Sequence, residues 1–271
     1  MNLLERQMVD ALKDLRESHA VIGVKAEFEA EGTRLEEALR LKEVVMKAGL
    51  GLTIKIGGCE ALRDMYECRS IGVQRLVAPM IETAFALKKF ISAARLVFPE
   101  EERTDVKFAA NIETISGCQN FDAMLELPES ADLHGIVMGR VDLTGSMSMA
   151  RNMIDSEPVF EITKGLFMKS KARGIENAIG GGVSAGSLPF FRRLPSGTID
   201  RYETRKVIFK CPEALNHDAE TGILKAVGFE LLWLKNKREY YGSISMEDYE
   251  RFKMLEQRYK LLIEKAGGRT A

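Results

Sequence analysis

Short apolar runs alternate with amphipathic stretches along most of the chain. Leu4, Met8, Ala11, Leu12 and Leu15 recur at helical spacing within Asn2 to Glu17, which predicts a first helix with one apolar face. Val21 to Glu29 then reads as a strand ending in acids. Thr33, with Glu36 three residues on, has the form of a capping box opening a second helix. The expected inner face of that helix is Leu35, Ala38, Leu39, Leu41 and Val45, and Gly49 is its stop. The alternation continues with strands at Leu50 to Ile56, Val73 to Met80, Val106 to Ile112 and His134 to Gly139. Between them fall helices at Glu60 to Ser70, Glu82 to Val97 and Phe121 to Leu127. A helix around Phe160 to Arg173 precedes two more strands, Asn177 to Val183 and Lys206 to Lys210. From Asp218 onward the tail reads as helical, with Phe252, Leu255, Tyr259 and Leu262 on one stripe.

Apolar strands separated by helices indicate parallel pairing buried on both faces, because each parallel crossover must be long enough to hold a helix. The expected fold class is therefore α/β: a TIM-type (β/α)8 barrel with one atypical or missing strand, since seven strands are countable, plus a helical C-terminal extension. An open doubly wound sheet is the alternative. Against it, the acids at strand ends all fall on the carboxyl side, where barrels collect their chemistry. No linker or repeat divides the chain, so residues 1–271 read as one domain: an N-terminal helix to about 20, a barrel over 21–210 and the extension over 211–271.

Composition narrows the function classes. The chain has 271 residues, 45% hydrophobic and 29% charged, enough to bury a large core. Its 39 basic and 40 acidic residues nearly cancel, so no bulk field attracts nucleic acid or an anionic membrane. Cys59, Cys68, Cys118 and Cys211 lack metal-cluster spacing and read as free thiols of a reducing compartment. The N-terminus carries charges throughout and lacks the apolar core of a signal peptide, so the expected location is cytoplasmic.

Candidate chemistry sits at strand ends. Glu113, in Asn111-Ile-Glu-Thr, and Asp142, in Gly139-Arg-Val-Asp-Leu-Thr, each directly follow an apolar strand, and those strands are consecutive. Adjacent parallel strands lie about 4.8 Å apart, so two such carboxylates can reach one hard cation, Mg²⁺ or Mn²⁺. The competing reading is that each acid merely caps the helix that follows. Period-two spacing puts Glu27 and Glu29 on one side of the first strand, where either can face the barrel mouth as a general base or a support for the metal. Backbone amides around Gly139, Arg140 and Val141 begin a helix and suit a substrate carboxylate, with Asn111 as neighbour. Gly180 to Ser187 is a glycine-rich turn with the same potential. Glu82 is either a further site acid or the start of a helix. None of His19, His134 and His217 falls within these motifs at a strand's carboxyl end.

FAANIET followed about thirty residues later by GIVMGRVDLTGSM, with LVAPMIE upstream, resembles the HpcH/HpaI aldolase and citrate lyase family. The resemblance covers roughly Val21 to Met149. It implies that Glu113 and Asp142 bind a divalent metal, which chelates the carboxylate and keto oxygens of a 2-oxo acid. It also implies an oligomer, with the C-terminal tail as a candidate contact. The family has an arginine at the end of the strand matching GLTIKIGG, where this chain has Lys55. A lysine supplies charge to an oxyanion but no bidentate fork. A Schiff-base role is its other chemistry. Nor does the first strand's ending, AEFEAE, supply the histidine that the family's 2-oxo acid aldolases have there. The expected activity is a metal-dependent carbon–carbon lyase or aldolase acting on a 2-oxo or 3-hydroxy acid (pyruvate, oxaloacetate, or citramalyl- or malyl-like) through a stabilised enolate. Its expected partners are that small carboxylate and further copies of the chain. Related enolate chemistry, such as thioester hydrolysis or phosphoenolpyruvate-type transfer, and a non-catalytic carboxylate-binding barrel are the alternatives.

Overall fold

In the computed structural model, which describes residues 1–268, eight strands close into a barrel in chain order. They are β1 (Val21–Glu27), β2 (Gly51–Lys55), β3 (Arg75–Ala78), β4 (Lys107–Asn111), β5 (Gly135–Gly139), β6 (Glu176–Gly180), β7 (Arg201–Glu203) and β8 (Val207–Lys210). The helices are α1 (Leu3–Ser18), α2 (Leu35–Lys47), α3 (Leu62–Ile71), α4 (Ala84–Val97), α5 (Ile115–Gln119), α6 (Phe121–Leu125), α7 (Arg140–Ser146), α8 (Glu157–Ala172), α9 (Leu188–Arg193) and α10 (Ala219–Lys265). All seven strands expected from the apolar runs are present. The eighth is β7, only three residues long. None of the described helices is long and apolar enough to cross a membrane.

The last strand departs from the expected parallel pattern. β8 pairs antiparallel with both β7 and β1, so β7 and β8 form a hairpin and no helix separates them. Its amino end therefore reaches the same rim as the carboxyl ends of the other seven. There Lys206 is buried and ion-pairs with Glu31. The chain leaves β8 at the opposite rim, and α10 climbs back along the barrel wall. Ile223, Ala226, Phe229 and Trp233 cover that wall and pack beside α1.

Local signals mostly fall where the pattern puts them. α1 buries Met8, Leu12 and Leu15 as expected. Gly49 adopts φ 71°, the left-handed conformation a helix stop favours. The cap of α2 lies one residue later than expected: the Arg34 amide donates to Glu37 Oε2 at 3.2 Å, whereas Thr33 turns its hydroxyl toward Glu31. The buried face is Ala38, Leu41, Val44 and Val45, and Leu35 and Leu39, expected on it, are exposed.

Inside the barrel, the odd-numbered residues of β2 to β5 and of β7, and the even-numbered residues of β6, point to the axis. Arg75, Glu176 and Arg201 form an ion-paired floor, and Val77, Ala109, Val137 and Ala178 make a small apolar cluster. Polar groups follow toward the upper rim. Small side chains in the middle layer leave room there for the long side chains of the mouth.

Candidate active site

The upper rim opens into a cavity of about 410 Å³ lined by the carboxyl ends of the strands. β1 brings Glu27 and β2 brings Lys55, which are direct register partners. From β4 come Asn111 and, two residues on, Glu113. Gly139 ends β5, and Val141 and Asp142 follow in the first turn of α7. β6 ends at Gly180, with Gly181 to Val183 lining the cavity as a loop.

Glu113 is the centre of this arrangement and is 2% exposed. Its Oε1 accepts from the Met80 amide at 3.1 Å and its Oε2 from Asn111 Nδ2 at 2.9 Å. Burial pushes its carboxyl above the usual range, and the Asp142 charge adds to this, against the pull of Lys55 and the Met80 amide. Gly139 makes room for it. A Cβ at position 139 would overlap Glu113 Oε2 and approach its Cβ to 2.9 Å. A Cβ on Gly181 would lie 2.6 Å and 2.7 Å from the amide nitrogens of Arg140 and Val141, so that glycine keeps space open in front of two helix-start amides.

Lys55 is a cation held among acids. Its Nζ is 2.8 Å from Glu29 Oε2 and 3.9 Å from Glu113 Oε1. Burial alone would lower its pKa, but the charges of Glu113, Glu29 and Glu27 outweigh burial and raise it. Imine formation needs a neutral amine, so this setting favours the oxyanion-stabilising role over the Schiff base. Lys25, which the sequence reading passed over, lies deeper and bridges Glu27 and Glu203, each at 3.2 Å. Glu27 is thus a cavity acid already paired to Lys25, and Glu29 reaches the site through Lys55.

Three candidates stand outside the cavity lining: Glu29, which reaches the site only through Lys55, and Glu82 and Arg140. Glu82 accepts from the Thr114 hydroxyl at 2.6 Å and is not in the lining, which favours its role beside the following helix. The Arg140 side chain is fully buried and aims behind the glycine loop. It donates to the Gly180 and Gly181 carbonyls at 3.1 Å each and ion-pairs with Asp155. What the sequence offered at Arg140 was its backbone amide, and its side chain does not join the cavity lining. Its guanidinium instead fixes the glycine loop. Arg140→Ala leaves two carbonyls and a carboxylate unmatched, and is expected to lower unfolding stability by about 3 kcal/mol in urea titration, with Arg140→Lys restoring only part.

Among the described residues, no three His, Cys, Asp or Glu side chains form a ready-made metal cage. The two carboxylates still fit a hard cation. Mg²⁺ commonly uses one or two protein carboxylates and fills its other positions with water and substrate. Beside them the Asn111 Oδ1 is buried with no hydrogen-bond partner, an acceptor free for a bound water, hydroxyl or cation. Glu113 and Asp142 would hold the ion.

Residues 54–181 match the family model of the HpcH/HpaI aldolase/citrate lyase family. This part of the chain is similar to that family. The matched segment contains Lys55, Asn111, Glu113, Gly139 and Asp142, and the match supports a lyase or aldolase-type function. An HpcH/HpaI aldolase from Desulfitobacterium hafniense DCB-2 superposes with a TM-score of 0.59 at 12% identity, covering 75% of this chain and 83% of that one. A family protein from Burkholderia cenocepacia J2315 gives 0.59 at 12%, covering 88% and 90%. The citrate synthase SbnG gives 0.59 at 13%, covering 86% and 90%. At such identities the likeness speaks for the barrel. None of the curated proteins matches the chain in sequence.

Proposed function

We propose that the protein is a divalent-metal-dependent carbon–carbon lyase or aldolase acting on a 2-oxo or 3-hydroxy acid. The observation that carries this reading is the buried Glu113 carboxylate sharing one cavity with Asp142 and a protonated Lys55, in the segment that matches the HpcH/HpaI family. A Mg²⁺ or Mn²⁺ ion held by the two carboxylates would supply Lewis-acid polarisation of the 2-oxo acid. The chain's own groups do the rest. The amides of Arg140 and Val141, kept open by Gly181, receive the substrate carboxylate. Lys55 Nζ lies where negative charge collects on the substrate oxygen as the carbon–carbon bond breaks, and its ammonium stabilises the enolate. Glu29, 2.8 Å from Lys55, keeps that amine charged and positioned. Glu27, already bridged by Lys25, is placed to take up or return a proton at the cavity wall.

Arg151 also lines the cavity, from the exposed loop after α7. It suits a second anionic group on a longer substrate. Arg151→Ala is expected to raise KM about tenfold for a dicarboxylate or an acidic thioester while leaving kcat within about twofold, as loss of uniform binding does.

The reaction class is tested by incubating the protein with Mg²⁺ and a panel of 4-hydroxy-2-oxo acids and malyl- or citramalyl-type thioesters, following release of a 2-oxo acid or glyoxylate. Carbon–carbon cleavage supports the proposal. Thioester hydrolysis without cleavage points to the related enolate chemistry, and saturable binding without turnover to a carboxylate-binding barrel.

A further inference from the structure

The opposite rim of the barrel holds a second polar cavity, of about 430 Å³, that the proposed reaction does not use. The apolar cluster of Val77, Ala109, Val137 and Ala178 lies between it and the mouth. Glycines open it. Gly23 and Gly51 are direct register partners on β1 and β2 and both line the cavity, so neither strand sends a side chain into the floor at that level. Across the barrel, Gly135 makes room for the Arg75 guanidinium, since a Cβ there would lie 2.7 Å from Arg75 Nη1.

Charge at this floor does not balance. Arg75 and Arg201 both ion-pair with Glu176 Oε2, and Lys107 Nζ lies 3.6 Å from Glu176 Oε1, so three cations share one carboxylate. The two guanidinium groups are well buried, with side-chain exposures of 9% for Arg75 and 13% for Arg201. The Nε of Arg201 is buried and finds no hydrogen-bond partner among the described residues. Burial and the Arg201 charge pull the Arg75 pKa down, and Glu176 offsets only part of that. Buried positive charge left uncompensated is unfavourable, and a bound anion relieves it. Two planar guanidinium forks beside a half-exposed ammonium suit an acceptor with several oxygens. Thr53 and Gln74 line the same walls with neutral donors, and Asp105, the acid of the lining, is exposed. We infer that the floor of the barrel is a binding site for a small dianionic oxyanion, phosphate or a short dicarboxylate, held by Arg75, Arg201 and Lys107 and separate from the catalytic mouth.

The experiment titrates the full chain calorimetrically with inorganic phosphate and, separately, with succinate, at ionic strength held constant with chloride. The variants are Lys107→Gln, Asp105→Asn, Arg151→Ala and, as a matched loss of one distant positive charge, Lys253→Gln. Residues 105, 107 and 253 are exposed, so these substitutions spare the core, and circular dichroism checks the fold. The floor site predicts saturable binding of one anion that Lys107→Gln weakens at least fivefold and Asp105→Asn tightens, with Arg151→Ala and Lys253→Gln leaving it within twofold. Whichever of phosphate and succinate shows this pattern at the lower concentration identifies the class of ligand. Absence of any binding that Lys107→Gln weakens, an equal loss in Lys253→Gln, or a loss in Arg151→Ala that places the anion at the mouth would overturn it.

Discussion

Replacing Glu113 by Gln together with Asp142 by Asn removes saturable Mn²⁺ binding and lowers solvent exchange of the pyruvate methyl protons by at least about 10³-fold. Both substitutions keep volume, so the fold remains; the charge goes, and with it one of the two acceptor oxygens at position 113. In the wild type, burial works against ionising Glu113, and Lys55 and the Met80 amide offset only part of that effect. With glutamine at 113 the amide can still accept from Met80, but it offers a cation no charge. Calorimetric titration of Mn²⁺ and exchange followed by proton NMR check the two effects separately. Metal binding that survives the double substitution would place the ion elsewhere.

Gly139→Ala is the second large effect. Gly139 has φ −88° and ψ 91°, so alanine brings no backbone strain and the consequence is purely one of space. The new methyl would overlap the Glu113 carboxylate, which must swing away from Asn111 and Met80. A displacement of about 1 Å in a positioned group costs on the order of 10² in rate. Exchange is therefore expected to fall about 10²-fold, with weakened metal binding and a retained fold. Gly145→Ala is the matched control: an added Cβ there meets nothing within 4 Å, and activity should not change. Equal losses in both variants would mean that α7 as a whole, and not the Glu113 contact, is at fault.

The barrel was legible because buried parallel strands announce themselves as apolar runs, and every such run became a strand. β7 was not, because Arg201, Tyr202 and Glu203 place two charged side chains toward the axis and offer no apolar run. The direction of β8 was also hidden. Val-Ile-Phe-Lys reads alike in either orientation, and the Thr204-Arg-Lys206 turn carries no glycine or asparagine to mark a hairpin. Glu113 and Asp142 could be found because acids directly after apolar strands point to the mouth. Lys25 carried a comparable signal, a charge two residues before Glu27 on the same side of the strand, and its pairing with Glu203 needed the strand that the pattern missed. Arg140 was named for its backbone amide; that its side chain leaves the mouth to tie down the glycine loop had no signal in the sequence.

The most direct measurement is deuterium incorporation into the pyruvate methyl group by the wild-type protein in D₂O, stripped of metal and then supplied with Mg²⁺ or Mn²⁺. The two-carboxylate site with its charged Lys55 predicts exchange that appears on adding metal and disappears with chelator. Exchange indifferent to metal, or tight metal binding at Glu113 and Asp142 with no exchange of any 2-oxo acid tried, would contradict it.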